Sequence, residues 1–402
     1  MIKTISALIL MLGICFSCSK APSKLLILSD KSELAGAAEI YTALHPDIQI
    51  TLRHVPYISA SVLSEHAADI VIGDDINSEA ILTMLAPADI STPVYPVLAS
   101  AGKHGKQEAL IPLAFNLPLI VGRREVMKEL PDPVIIRQAD IRTLEEKFVR
   151  RDRYGRLSNL GFSPSWNPAS YLDLLILEYR ISELIFEDMH GFDELFVRVR
   201  DELSDWISSS AGSPDADFEF TRRYYYLPGD VLIANKRTLF TRMSFADWIA
   251  IPGTAAENLA IRYFAGDRVI PVQSVTWGGI GKNSPAKRQA AEFLQWLLTP
   301  DVQTQLMDRW EKDGLTVFGF LNGLSSIPQV NQTAVVERFP AIRGMLPENH
   351  FLFAMPILPD RWSRIRNEVI VPWFNSALYT ENAAKLSEYY DKWDLHSLEE
   401  RY

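Results

Sequence analysis

The sequence predicts an α/β fold in two lobes, and three observations carry that expectation. Residues 24–75 alternate strand and helix patterns, which points to a parallel sheet with helices on its faces. Two apolar runs, Ala109–Met127 and Val269–Val275, are interrupted by proline. The chain has 402 residues, too many for one ordinary core and comfortable for two lobes.

The first run, ALIPLAFNLPLIVGRREVM, carries Pro112 and Pro118 with Asn116 between them. A buried strand tolerates proline poorly, because each one removes a ladder donor. Pro112–Pro118 therefore reads as a hinge crossover, with a strand before it and a strand from Leu119 to Gly122 after it. The plainer alternative is one bent core strand. Val269–Val275, with Pro271, is the second crossover candidate.

Composition bounds the function. Hydrophobic residues make up 48% and charged residues 22%, a globular balance. The formal net charge of −10 argues against nucleic acid or anionic membrane as the main partner. The first residues, MIKTISALILMLGICFSC, pattern as an export signal. Their apolar run, Ile5–Phe16, falls short of the ~20 residues of a membrane span. Ser17-Cys18 resembles a lipoprotein signal, in which Cys18 is acylated and becomes the new N-terminus; the alternative is an ordinary cleaved signal with an incidental cysteine. The two cysteines, Cys15 and Cys18, both lie here, so the exported body is expected to hold no disulfide.

In chain order, Leu25–Leu28 reads as a buried strand, followed by a turn at Ser29–Lys31. Ser32 is placed to cap a helix with Leu34, Ala37, Ala38 and Tyr41 on its apolar side, ended by Pro46. Ile48, Ile50 and Leu52 alternate as a half-buried strand. A helix over Ser59–His66 and a strand over Asp69–Ile72 follow, the latter running into Gly73-Asp74-Asp75. In parallel sheets ligands sit beyond the carboxyl ends of the strands. Asp30, Lys31, Asp74 and Asp75 all fall there, although each alone suits a solvated turn.

Beyond the first crossover, Thr143–Arg150, Pro168–Arg180 and Phe192–Ile207 read as helices, with Ser208–Asp217 a loop. Residues 230–250 read as a helix, a strand near Thr238–Met243 and a loop carrying Phe245 and Trp248. After the second crossover, Ser284 and Thr299 each cap a helix with proline at its first position. The remainder is helical, with Trp362, Ile365, Val369 and Ile370 on one apolar side.

Enzyme motifs are missing. GGIGKNS at Gly278–Ser284 fails the phosphate-loop pattern, with Thr276 and Asn283 in the wrong places. The seven histidines have no metal-ligand spacing, there is no GxSxG elbow, and no cysteine follows Cys18. No metal, cofactor or catalytic residue is expected.

Four stretches then resemble one family, the family 1 extracellular solute-binding proteins of ABC importers. DKSELAGAAEIYTALHPDIQITL is similar to its first turn–helix–strand, with Asp30-Lys31 at a sugar-contacting position. ADIVIGDD is similar to its third strand, IPLAFNLPLIVGRREVM to its first hinge, and VTWGGIGKNSPAKRQAAEFLQWLLTPDVQ to its return hinge and following helix. Asn116 stands where a maltose-binding member has a ligand-contacting acid. The sequence departs at Gly122-Arg123, where the family has Tyr-Asn, and near Ser165–Pro168, where it has acidic residues.

The resemblance implies a two-lobed periplasmic binding protein type II fold with a two-segment hinge and a cleft between lobes. Residues 24–115 plus 271–308 would form one lobe and 116–270 plus 309–402 the other, after a signal peptide at 1–17 and a tether at 18–23. It implies a monomer that is exported, lipid-anchored and delivers a sugar or similar polar solute to permease subunits. Sensor or interaction lipoproteins on the same scaffold, and an exported hydrolase, are the alternatives. The residues implied in ligand binding are Asp30, Lys31, Asp74, Asp75, Asn116, Trp166, Trp248, Trp277 and Trp362. These are suitable types, since sugars are held by aromatic faces and planar polar groups. For each tryptophan, core packing is the competing role.

Overall fold

The structure, a computed structural model, describes residues 23–88, 91–166, 169–179, 193–266, 269–355, 357–380 and 383–399. The expected signal segment and Cys18 lie outside the described residues, as does the side chain of Trp166.

The first sheet has seven strands. Leu324–Ser325, Leu110–Asn116, Ser274–Gly281, Ile70–Asp74, Ser23–Ser29 and Ile48–His54 follow one another, and Leu85–Ala86 also pairs with Ser274–Gly281. Ser23–Ser29 is parallel to both its neighbours, as the strand–helix repeat requires. Ser274–Gly281 returns antiparallel between Ile70–Asp74 and Leu110–Asn116. Its glycines have a packing reason. A Cβ on Gly281 would lie 2.2 Å from the Ala68 carbonyl oxygen, so the GGIG stretch serves close backbone approach rather than phosphate binding.

The first crossing is shorter than the sequence suggested. The strand runs through Pro112 to Asn116 and resumes in the second sheet at Leu119, leaving Leu117-Pro118 to cross. Pro112 is tolerated because the register shifts opposite it, between Thr276 and Trp277. The return crossing lies alongside. Phe264 donates its backbone N–H to Pro118 O at 2.9 Å and Gln273 to Asn116 O at 2.8 Å. Leu352–Phe353 runs parallel to Ile270–Pro271 in the same zone, a third segment that the two-crossover expectation lacked.

The second sheet is Phe240–Met243, Leu119–Arg123, Leu259–Phe264 and Ile135–Ile136, in that order. It is buried on both faces. Leu119 and Val121 join the core cluster that contains the first sheet, and Ile120 between them joins the second, as a period of two dictates. Helices Ala169–Tyr179 and Asp193–Ala211 and the segment Trp362–Ala377 pack about the second cluster.

Three local expectations are corrected. Ser208–Asp217 is no loop: the preceding helix runs to Ala211, and Ser213 caps a new helix, Pro214–Tyr224, by accepting from the Ala216 N–H at 3.1 Å. Residues 245–250 are helical, closed by the reciprocal hydrogen bonds of Ser244 and Asp247. The segment after residue 308 is not confined to the second lobe. Leu324–Ser325 edges the first sheet, whereas Phe318 stacks on Phe245 with ring centres 4.0 Å apart.

Candidate ligand-binding cleft

Strand register gathers the polar residues of the first lobe. Asp74 is the last residue of its strand and lies opposite Thr276; Asn116 ends its own strand opposite Ser274. Ser29 ends the neighbouring strand, so Asp30 and Lys31 emerge beside Asp74. Lys31 Nζ lies 2.5 Å from Asp74 Oδ2 and 3.8 Å from Asp30 Oδ1. Thr276 Oγ1 donates to Asp74 Oδ1 at 2.6 Å, and the Asp74 N–H donates to Asp30 Oδ2 at 3.1 Å. Both oxygens of Asp74 are thus engaged within the protein. Asn116 Nδ2 donates to Ser274 Oγ at 3.3 Å.

Asp75 turns the chain. Its φ of 52° is the left-handed conformation that aspartate tolerates better than most residues, and it exchanges hydrogen bonds with Val275 through its own N–H and Oδ1. Burial pushes its carboxyl up to about 7, with Asp74 adding to the shift and Arg366 opposing it. Burial likewise raises Asp30 to about 6 against the pull of Lys31. Burial disfavours the Lys31 ammonium, but Asp74 and Asp30 outweigh it and hold its pKa above the ordinary lysine value.

Arg366, from the helical turn Ile365–Ile370, ties this group to the second lobe. It acts electrostatically on Asp75 and also on Asp173 of the helix Ala169–Tyr179. Asp173 accepts from Arg242 Nε at 2.8 Å, and both are buried. Burial raises the Asp173 carboxyl even so. The Nη2 of Arg242 has no hydrogen-bond partner, and the residue lines a cavity of about 720 Å³. Asp230, Asp247, Thr221 and Tyr225 line it too, and Tyr225 is 74% exposed. Behind this wall, Asp217 accepts from Ser163 Oγ, Ser165 Oγ and Tyr379 OH at 2.7, 2.7 and 2.9 Å, and burial raises its pKa.

The expected aromatic wall is placed differently. Trp277 is 1% exposed, inside the first sheet with its ring against Gly102; it is a core residue and offers no face to a solute. Trp362 is 3% exposed and packed in the second core cluster. Trp248 is 8% exposed and borders a different cavity, of about 650 Å³. None of the five polar residues expected from the first lobe and hinge lines the 720 Å³ cavity. Sequence reasoning missed Tyr225, Arg242, Asp173 and Arg366. The three-tyrosine run Tyr224–Tyr226 before Pro228-Gly229 was the available signal, because adjacent aromatics at a turn seldom all reach the core. Among the described residues no cluster of His, Cys, Asp and Glu is arranged to hold a metal, and no helix is long and apolar enough to cross a membrane.

No family model matches the sequence. No curated protein matches it either. Solved structures do match in fold. CpMnBP1 with mannotriose bound superposes with a TM-score of 0.60 at 14% identity, covering 90% of this chain and 96% of that one. A cyclo/maltodextrin-binding protein complexed with maltotetraose gives 0.59 at 13% identity over 93% and 96%. The ABC substrate-binding protein Lmo0181 from Listeria monocytogenes, in complex with cycloalternan, gives 0.60 at 13% identity over 92% and 98%. With two sheets joined by adjacent crossings, and with these neighbours matched over nearly their whole length, the chain has the two-lobed α/β fold of the type II periplasmic binding proteins.

Proposed function

We propose that the protein is the solute-binding subunit of an ABC importer and captures a carbohydrate between its lobes without altering it. One observation supports this reading: a cavity of about 720 Å³ in the second lobe sets the exposed ring of Tyr225 beside Asp230, Asp247 and Arg242, whose buried Nη2 has no hydrogen-bond partner. A ring face for C–H surface beside planar polar groups for hydroxyls is the chemistry that holds sugars. The solved neighbours named above hold oligosaccharides, which supports the same class of solute here.

In this reading the first lobe is built on residues 24–115 and 271–308 and the second on 116–270, with both drawing on the segments that follow. Closure about the crossings brings Asp75 and Asn116 toward Arg366, Asp173 and Arg242. A ligand favours the closed form because only there do both lobes touch it. Asp30, Lys31 and Asp74 act as the rigid floor, since their polar atoms largely engage one another. Export and acylation at Cys18 keep the protein, as a monomer, near its permease in the cell envelope; stable anchoring takes more than one acyl chain. Cys18→Ser is expected to release it into the soluble fraction.

Incubation of the purified protein with a neutral oligosaccharide panel tests the reading. Tight binding of an unchanged saccharide supports it. Release of shorter products, or no binding across the panel, contradicts it.

A further inference from the structure

The cavity beside Trp248 differs from the first in charge and lining. Its volume is about 650 Å³, and its walls are mostly apolar, with Met127, Leu259 and Phe339 among them. The charged residues that line it are Arg124, Lys128, Arg262 and Arg338, with no acid among them. In a chain of net charge −10 this is a local reversal of sign.

Two of these cations, Arg124 and Arg262, hydrogen-bond to backbone carbonyls and not to carboxylates. Arg124 donates to the carbonyl oxygens of Glu257 and Leu259, at 3.2 and 3.3 Å. Arg262 donates to the carbonyls of Asp132, Ile261 and Met127, at 3.2, 2.7 and 3.3 Å. Carbonyls satisfy N–H groups but leave the positive charge in place. Arg338 pairs with Asp308, yet its Nε is buried with no partner. Burial also holds Arg262 below the ordinary arginine value, with Asp132 opposing.

We propose that this cavity is a second binding site, separate from the solute cleft, for an amphiphilic anion: a molecule with an apolar or aromatic body and one carboxylate or phosphate head. The apolar walls and Trp248 take the body. The guanidinium groups take the head, which planar donors bind through charge-assisted hydrogen bonds. Size agrees, since pockets of this volume hold small organic molecules.

The test titrates the purified protein with 8-anilinonaphthalene-1-sulfonate, an aromatic anion, followed by competition. The probe is expected to saturate one site. Decanoate or decyl phosphate should displace it, and which of them does so names the head group. Decanol, with the same chain and no charge, should compete at least about tenfold less well, and a neutral oligosaccharide should not compete. Arg124 and Lys128 are exposed, so Arg124→Gln with Lys128→Glu should fold normally and lose at least about tenfold in probe affinity. Absence of probe binding, equal competition by decanol, displacement by saccharide, or an unchanged affinity in the folded double variant would each overturn the proposal. The wild-type competition needs no variant, so a folding failure would not rescue it.

Discussion

Lys31 Nζ lies 2.5 Å from Asp74 Oδ2, joining the turns after two neighbouring parallel strands, 43 residues apart in sequence. Both side chains are largely withdrawn from solvent, so the pair ranks above a surface ion pair. Lys31→Met strands Asp74 beside Asp30. We expect it to lower the unfolding free energy by about 1.5–3 kcal/mol, the scale of a hydrogen bond to a charged group. Chemical denaturation of the two proteins measures this; an unchanged midpoint and slope would show the pair to be ornamental.

Asp75 predicts a pH dependence. Its carboxyl titrates at about 7 in the folded protein against an ordinary 3.8, with Asp74, Lys31 and Arg366 as its charged neighbours. The folded state therefore holds this proton more tightly than the unfolded chain. Its contribution to stability falls as pH rises from the unfolded value, and the loss is complete above the folded one. Asp75→Asn keeps an acceptor for the Val275 N–H and suits the left-handed backbone. The variant should match or trail the wild type near about pH 4 and exceed it near about pH 8. Parallel unfolding curves for the two proteins across that range would contradict the assignment.

Trp277 and Tyr225 separate core from site. Trp277→Ala removes a fully buried ring and should cost about 3–5 kcal/mol of stability. Tyr225→Ala removes an exposed one; it should leave the thermal midpoint in place and weaken saccharide binding by roughly tenfold. Melting curves and titrations on both variants read the difference. A stable Trp277→Ala protein that binds less tightly would return Trp277 to the cleft.

Much of the fold was legible because it rests on local rules. Leu25, Ile27 and Leu28 had to be buried, and Pro118 marked the chain's exit from the first sheet, whereas Pro112 lies within the strand at a register shift. The third segment carried the same signature, an apolar run broken by Pro356 and Pro359, but its strand is only Leu352–Phe353, paired with Ile270–Pro271. Ser213-Pro214 was a helix start written inside a polar stretch that otherwise resembled a loop. The cleft was less legible. Asp30, Lys31, Asp74 and Asp75 were legible as strand-end residues, and register brings the first three into contact with one another. Tryptophan identity could not say whether a ring packs or is displayed. Arg242 sits on a buried strand and its partner Asp173 on an apolar helix, a pairing 69 residues apart that no spacing announces.

The most direct measurement of the central claim is isothermal titration of the purified wild-type protein with a panel of neutral oligosaccharides. Saturable binding with one site per chain, and recovery of the same saccharide afterwards, is the predicted result. No heat of binding from any member of the panel, or recovery of cleaved sugar, would contradict the account.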